Sequence, residues 1–395
     1  MGLGATSLVE FGYLSLNKKG EELCGDHVEA TGNIESSSRT FVLADGLGSG
    51  VQANILSTLT STMLSRMIEG GVSIEESVEA VVKTLPVSKS RGNVAYSTFS
   101  ICKLAKDDVL YVYNYDNPFP VYLRHGKELS IPIQEVMVEG KKISYYQIHM
   151  EEDDALVFMS DGVLYAGVGE TMNFGWGRDE IVHYLEALYD SSISAKNLAT
   201  LLVDHCSTLY NHRPGDDTTA LVIKKRPRVA VSVMVGPPTN PEDDEKVMRL
   251  FFARGGKHIV CGGTSTKVVA RYLDKPILTD LDYLDKDIPP ISHVEGVDLV
   301  TEGIITLNRV LQMAKDYLGP NGLYFEWTFR QDGASLLAKT LFEEASDISF
   351  FVGCAVNPAH QDPRYQIDIT MKMQIVEELT KALKEMGKLV KVAYF

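Results

Sequence analysis

At 395 residues the chain is longer than one ordinary hydrophobic core serves, so two domains are expected. A formal charge of −15 argues against nucleic acid as a partner, because a phosphate backbone is gripped by clustered Lys and Arg. With 45% hydrophobic and 23% charged residues, no uninterrupted apolar run of bilayer length and no basic-plus-apolar leader at Met1-Gly2-Leu3-Gly4, the chain reads as a globular protein of the cytoplasm without a membrane partner.

The first elements are strand-like by their β-branched and aromatic content: Leu8–Leu16, His27–Thr31 and Arg39–Ala44. After Gly50 the period changes. Val51, Ile55, Leu59, Met63 and Met67 step by four, which predicts an amphipathic helix with these residues as its buried stripe, ending at Gly70-Gly71. Ser57, Thr58, Ser61 and Thr62 then form a weakly charged outer face, a candidate homodimer contact. A second helix starts at a capping box, Ser73 with Glu76, carries Ile74, Val78, Val81, Val82 and Leu85, and stops at Pro86.

Strand-like runs follow at 96–104, 109–115, 121–124, 143–148 and 155–159, then helices at 178–188 and 195–210 and a strand at 219–224. Strands and helix pairs without regular alternation indicate an α+β sandwich flanked by helices over 1–225. Lys224-Lys225-Arg226-Pro227-Arg228 marks the boundary. From residue 229 to 395, strand-like 229–235, 258–261, 298–300, 348–353 and 389–394 alternate with helix-like 242–253, 266–273, 304–317 and 369–386. That alternation predicts a doubly wound, Rossmann-like α/β domain. The five cysteines are scattered and include no Cys-x-x-Cys pair, which indicates reduced thiols and neither a zinc site nor a disulfide framework.

Four acidic motifs lie beside the strands of the first domain: Gly25-Asp26-His27, Asp45-Gly46-Leu47-Gly48-Ser49-Gly50, Ser160-Asp161-Gly162 and Gly215-Asp216-Asp217-Thr218-Thr219. Singly, each Asp-Gly pair is an ordinary turn. As a set they place four carboxylates where a sheet could gather them, and gathered carboxylates need cations. Mg²⁺ or Mn²⁺ takes oxygen ligands with water in the remaining places, and two such ions about 4 Å apart make a bridging water nucleophilic toward phosphate esters. Asp45 is the residue expected between the ions, with Gly46 leaving its carbonyl unobstructed.

On these motifs the first 225 residues resemble the metal-dependent serine/threonine protein phosphatases of the PPM class, in the bacterial branch typified by stage II sporulation protein E. The resemblance implies a phosphorylated protein as substrate and two Mn²⁺ or Mg²⁺ ions as cofactors. It also implies Asp45 bridging the ions, the Gly46 carbonyl on one, Asp161 and Asp216 on the other, and Asp26 holding metal-bound water. Asp45, Asp161 and Asp216 are thus the candidate catalytic residues, and hydroxide generated between the ions is expected to attack phosphorus in line. Leu47 stands where the large eukaryotic branch has a histidine, and His27 and His212 are the nearby histidines that could serve instead. No arginine in the first strand is available for the substrate phosphate. A phosphatase-fold scaffold with negligible turnover, or a small-molecule phosphohydrolase, is the alternative reading.

The second domain resembles no family by its sequence. Its strand-to-helix turn at Cys261-Gly262-Gly263-Thr264-Ser265-Thr266 presents backbone N–H groups and hydroxyls, as does Thr301-Glu302-Gly303, and 357–364 follows another strand. Gly262, Thr264, Ser265, Glu302, His360 and Arg364 are therefore the candidate contacts for a small phosphorylated or carboxylated ligand, with tight structural turns as the alternative. On this reading the domain senses a metabolite and regulates the first.

Overall fold

The computed structural model describes residues 7–32, 38–84, 97–279, 288–319, 330–355 and 367–395. By its internal contacts the chain separates into two compact units, Met1–Pro227 and Arg228–Phe395.

The first unit begins with β1 (Ser7–Leu16), β2 (Asp26–Thr31) and β3 (Arg39–Gly46), followed by α1 (Gly50–Glu69) and α2 (Ile74–Thr84). Then come β4 (Ser97–Leu104), β5 (Val109–Tyr115), β6 (Val121–Arg124), β7 (Lys127–Glu128), β8 (Gln134–Val138), β9 (Lys141–His149) and β10 (Asp154–Met159). The unit closes with α3 (Asp161–Leu164), α4 (Arg178–Leu188), α5 (Ala195–Leu209) and β11 (Thr218–Pro227). Two sheets result, ordered β1-β11-β10-β6-β7 and β2-β3-β4-β5-β9-β8.

Strand alternation assigns each side chain to a layer. In β3, Phe41 and Leu43 join Leu156, Phe158, Leu221 and Ile223 in the core between the sheets. Their neighbours Val42 and Ala44 instead pack with Leu64, Ile68, Val78 and Val81 of α1 and α2. On the outer face of the other sheet, Val157, Met159, Ala220 and Val222 pack with Ile181, Leu185, Leu198 and Leu202 of α4 and α5. The unit is therefore a helix–sheet–sheet–helix sandwich. Its capping box forms as read: the Glu76 N–H donates to Ser73 Oγ at 3.2 Å and the Ser73 N–H to Glu76 Oε2 at 3.3 Å. Leu85 and Pro86 lie outside the described residues.

The expected orientation of α1 is reversed. Val51, Ile55 and Leu59 are exposed, at 60%, 51% and 46%, whereas Ala53, Ser57, Thr60, Ser61, Leu64, Ser65 and Ile68 are buried. Close approach explains this. A Cβ on Gly46 would stand 2.0 Å from the Ala53 carbonyl oxygen, so the helix lies too near β3 for a stripe of long side chains. The small hydroxyl residues fit because their own helix satisfies them: Thr60 Oγ1 donates to the Leu56 carbonyl at 2.7 Å and Ser61 Oγ to the Ser57 carbonyl at 2.8 Å.

The second unit carries a sheet ordered β14-β15-β16-β13-β12-β17-β18. Its strands are β12 (Ala230–Val235), β13 (Lys257–Cys261), β14 (Leu278–Thr279), β15 (Ser292–His293), β16 (Leu299–Thr301), β17 (Asp347–Val352) and β18 (Leu389–Tyr394). The five from β16 to β18 run parallel, and β14 and β15 add an antiparallel edge. Helices cover both faces. Met234, Val260 and Phe351 pack with Val247, Phe251 and Val269, while Val233, Ile259 and Phe350 pack with Leu311, Leu337 and Leu379. Sequence periodicity misses the helix Gly333–Lys339, whose short length leaves little pattern and whose Asp332 cap accepts from the Ala334 and Ser335 N–H groups, both at 3.0 Å.

The burial of α1 yields a stability contrast. Leu64→Ala should destabilise the first unit by about 2–5 kcal/mol, and Ile55→Ser by less than about 1 kcal/mol, in urea denaturation followed by circular dichroism. The opposite ranking would mean that the helix packs on its apolar stripe.

Candidate functional site

Antiparallel pairing of β2 with β3 sets Asp26 directly opposite Asp45. Asp45 continues the alternation of Phe41 and Leu43, and Asp26 that of Val28, so both carboxylates point between the sheets. The other sheet supplies the facing groups. Met159 at the end of β10 is paired with Ala220 of β11, which brings Ser160 and Asp161 beside residues 216–219. The junction is fixed reciprocally, with the Thr219 N–H donating to Ser160 Oγ and the Ser160 N–H to the Thr219 carbonyl, both at 2.9 Å.

This convergence is written in the protonation equilibria. Burial raises the Asp45 carboxyl to about 9, and the charges of Asp26, Asp161, Asp216 and Asp217 push the same way. Asp26 is raised first by burial, then by Asp217 and Asp161, while the hydroxyls of Ser160 and Thr219 oppose the shift. Asp161 is raised by burial and by Asp216, and Lys18 counteracts. Asp26 is only 3% exposed, and neither of its carboxylate oxygens accepts a hydrogen bond of ordinary geometry. Unpartnered buried carboxylates are costly in water-poor surroundings unless protons or cations compensate them.

These donors fit a divalent cation chemically: hard oxygens, crowded negative charge and a buried carboxylate without a hydrogen-bond partner. The side chains are close enough to perturb one another's titration. Yet no three His, Cys, Asp or Glu side chains among the described residues are gathered as a ready ligand set, so an ion here would also draw on water and backbone carbonyls.

The four motifs named from sequence therefore meet at one end of the sandwich. Gly46 has a packing reason as well, given its approach to Ala53, and Ser97 Oγ donates to the Asp45 carbonyl at 2.7 Å. Sequence reasoning missed Asp217. It is 4% exposed, its Oδ1 accepts the Lys18 N–H at 3.0 Å, and its Oδ2 is buried without a partner. Gly25 makes room for it, since a Cβ there would lie 2.6 Å from that Oδ2. The available signal was the doubled acid before β11, where position 217 shares the inward alternation of 219 and 221. Also missed was a polar chain beside Asp45. Thr98, its register partner on β4, donates to Asn117 Oδ1, and Asn117 Nδ2 donates to Ser100 Oγ at 3.1 Å.

Neither histidine faces the carboxylates in the manner expected of a proton donor. His27 lies on the opposite face of β2 from Asp26, hydrogen-bonds Ser61 Oγ of α1 at 2.8 Å, and has its pKa lowered by burial. His212 is exposed and hydrogen-bonds Ser207 Oγ at 3.1 Å. Leu47 is 43% exposed.

In the second unit, Gly262 adopts φ +115° and its turn meets the Glu302-Gly303 turn closely, a Cβ on Gly303 lying 3.4 Å from Gly262 Cα. Thr264 is exposed, Ser265 is buried with its hydroxyl 3.5 Å from the Cys261 carbonyl, and the Glu302 carboxylate accepts the Ile305 N–H at 3.2 Å. His360 and Arg364 lie outside the described residues.

The first unit is thus a two-sheet sandwich flanked by helices, with acids from both sheets converging at one end. Residues 36–226 match the stage II sporulation protein E (SpoIIE) family, and this segment is a domain of that family. No individual curated protein matches the chain in sequence. Among solved structures, the PP2C phosphatase domain with a fragment of the regulatory domain of SpoIIE from Bacillus subtilis is 16% identical, covering 57% of this chain and 64% of its own, with a TM-score of 0.48. The RsbU and RsbW domains of a Mycobacterium tuberculosis protein are 16% identical over 62% of this chain and 68% of theirs, with a TM-score of 0.44. RsbX in complex with magnesium is 18% identical over 55% of this chain and 96% of its own, with a TM-score of 0.39.

The raised carboxyls fix the sign of a pH effect. A folded state that holds protons above the ordinary carboxylate range gains stability at low pH and loses it as pH rises toward about 9. Metal-free protein should thus melt at a lower temperature at about pH 8 than at about pH 6, and excess Mg²⁺ or Mn²⁺ should restore more at the higher pH, where fewer protons compete. Scanning calorimetry checks this; a metal increment equal at both pH values, or absent, would contradict the site.

Proposed function

We propose that the first unit hydrolyses phosphoserine or phosphothreonine on a protein, using two Mn²⁺ or Mg²⁺ ions held by Asp45, the Gly46 carbonyl, Asp161 and Asp216, with Asp26 acting on bound water. The observation that carries the reading is the pair of buried Asp26 and half-buried Asp45, opposite one another in register, with Asp161 close enough to raise both carboxyls. The SpoIIE-family match over 36–226 supports the reaction class. When bound, the ions would supply charge neutralisation for the phosphoryl group and a nucleophile formed from water at neutral pH. The chain's own contribution is placement. Strand register fixes Asp45 against Asp26, the Ser160–Thr219 junction fixes Asp161 near Asp216, and the buried surroundings strengthen every charge interaction inside. Asp217 belongs with this set by its burial and its unpartnered Oδ2.

Ser57 and Ser61 are buried, so the homodimer face expected at Ser57, Thr58, Ser61 and Thr62 is not available; in this proposal the exposed Leu47, Val51, Ile55 and Leu59 form the contact face instead, an apolar stripe that a monomer would leave in water. The second unit is read as a regulator binding a small anion where the Gly262 and Gly303 turns meet. Removing residues 229–395 should then change turnover several-fold; unchanged turnover would count against regulation.

Asp45→Asn should reduce Mn²⁺-stimulated release of phosphate from a phosphoserine peptide by at least about 10³-fold while circular dichroism stays unchanged. Turnover at the wild-type rate would refute the assignment. Ile55→Lys with Leu59→Lys should shift sedimentation velocity from dimer to monomer, and a wild-type monomer would remove the interface.

A further inference from the structure

Among five acids, one cation is built into the wall of the site. β1 ends at Leu16, and the following turn carries Lys18 onto the last acidic motif: its N–H donates to Asp217 Oδ1 at 3.0 Å, and its ammonium stands 3.6 Å from Asp216 Oδ1. The turn is held at several points. The Lys19 N–H donates to the Pro214 carbonyl at 2.9 Å, the Glu21 N–H to the Lys18 carbonyl at 3.0 Å, and Asn17 Nδ2 to the Glu22 carbonyl at 3.0 Å. On its far side Ser49 Oγ donates to Glu21 Oε1 at 3.1 Å, and Asn54 Nδ2 to the Cys24 carbonyl at 2.8 Å. The backbone of Lys18 is therefore positioned, while its side chain stays 37% exposed on four rotatable bonds.

That combination does not suit a structural ion pair, because a half-exposed Lys–Asp contact at 3.6 Å contributes little stability. It suits a cation able to exchange one anion for another. Resting on the theory that this site hydrolyses phosphate esters, we propose that Lys18 binds the phosphoryl oxygens of the substrate. Its ammonium leaves the Asp216 carboxylate when a phosphate dianion enters and returns when inorganic phosphate departs. Lysine serves as a compact point charge with three donors and can follow the phosphoryl group as it moves. Exposed Lys19 and Arg213 flank the same rim and would favour anionic approach against a net charge of −15.

The test uses the full chain with Mn²⁺, para-nitrophenyl phosphate and a phosphoserine peptide, with inorganic phosphate as a binding probe. Lys18→Met should raise KM for both substrates and the calorimetric Kd for phosphate by about 10-fold or more, with a smaller change in kcat, and Lys18→Arg should recover most of the affinity. Mn²⁺ affinity, titrated separately without substrate, should be unchanged or tighter in Lys18→Met, since a competing cation has gone. Equal phosphate affinity in wild type and Lys18→Met, or weakened Mn²⁺ binding as the sole change, would overturn the role. Phosphate calorimetry decides the matter independently of turnover: an inactive wild type that binds phosphate through Lys18 would sink the hydrolytic reading and leave this one standing.

Discussion

Everything in the first unit turns on like charges held together out of water. Asp26 and Asp45 face each other across two antiparallel strands, under the opposing sheet, and the hydroxyls of Ser160 and Thr219 offset the burial of Asp26 only in part. Left alone, such a pair is stabilised by taking up protons; a divalent cation does the same work more strongly and at higher pH. The rest of the sandwich can be understood as what places this pair and the acids that meet it.

Small residues are the means. Gly46 lets α1 reach β3, Gly25 lets Asp217 reach the cleft, and a Cβ on Gly162 would stand 2.1 Å from the Asp217 carbonyl oxygen. Gly25, Gly46 and Gly162 thus act through packing, each removing a side chain where two backbones or a carboxylate must approach. A consequence is the unexpected burial of α1, whose Ser57, Thr60, Ser61 and Ser65 face the sheet together with Leu64 and Ile68, while Val51, Ile55 and Leu59 face outward. The hydroxyls return to helix carbonyls, so no polar atom is stranded by the arrangement.

How much of this was legible depended on how local the signal was. Nine strands of the sandwich, the capping box at Ser73 and Glu76, and the four Asp motifs were readable because each is a short-range pattern, whereas the edge strands β7 and β8, short and largely exposed, were not. The face of α1 was not, since hydrophobic periodicity assumes that the buried side is the apolar side, and here the distance to Gly46 decides. Asp217 was hidden by its neighbour: two adjacent acids cannot be ranked until strand register shows which points inward. Lys18 carried no sequence signal, because its position depends on a turn anchored to residues about two hundred positions away. In the second unit the alternation of strand and helix was readable, whereas the two-residue edge strands and the helix Gly333–Lys339 are too short to leave a period.

The central claim is that the buried acids exist to hold divalent cations. Calorimetric titration of Mn²⁺ into metal-free protein at neutral pH measures it most directly. The account predicts two ions per chain, bound with release of protons, and loss of at least one on changing Asp45 to Asn. Heat no greater than that of dilution would contradict it, as would a stoichiometry that ignores Asp45.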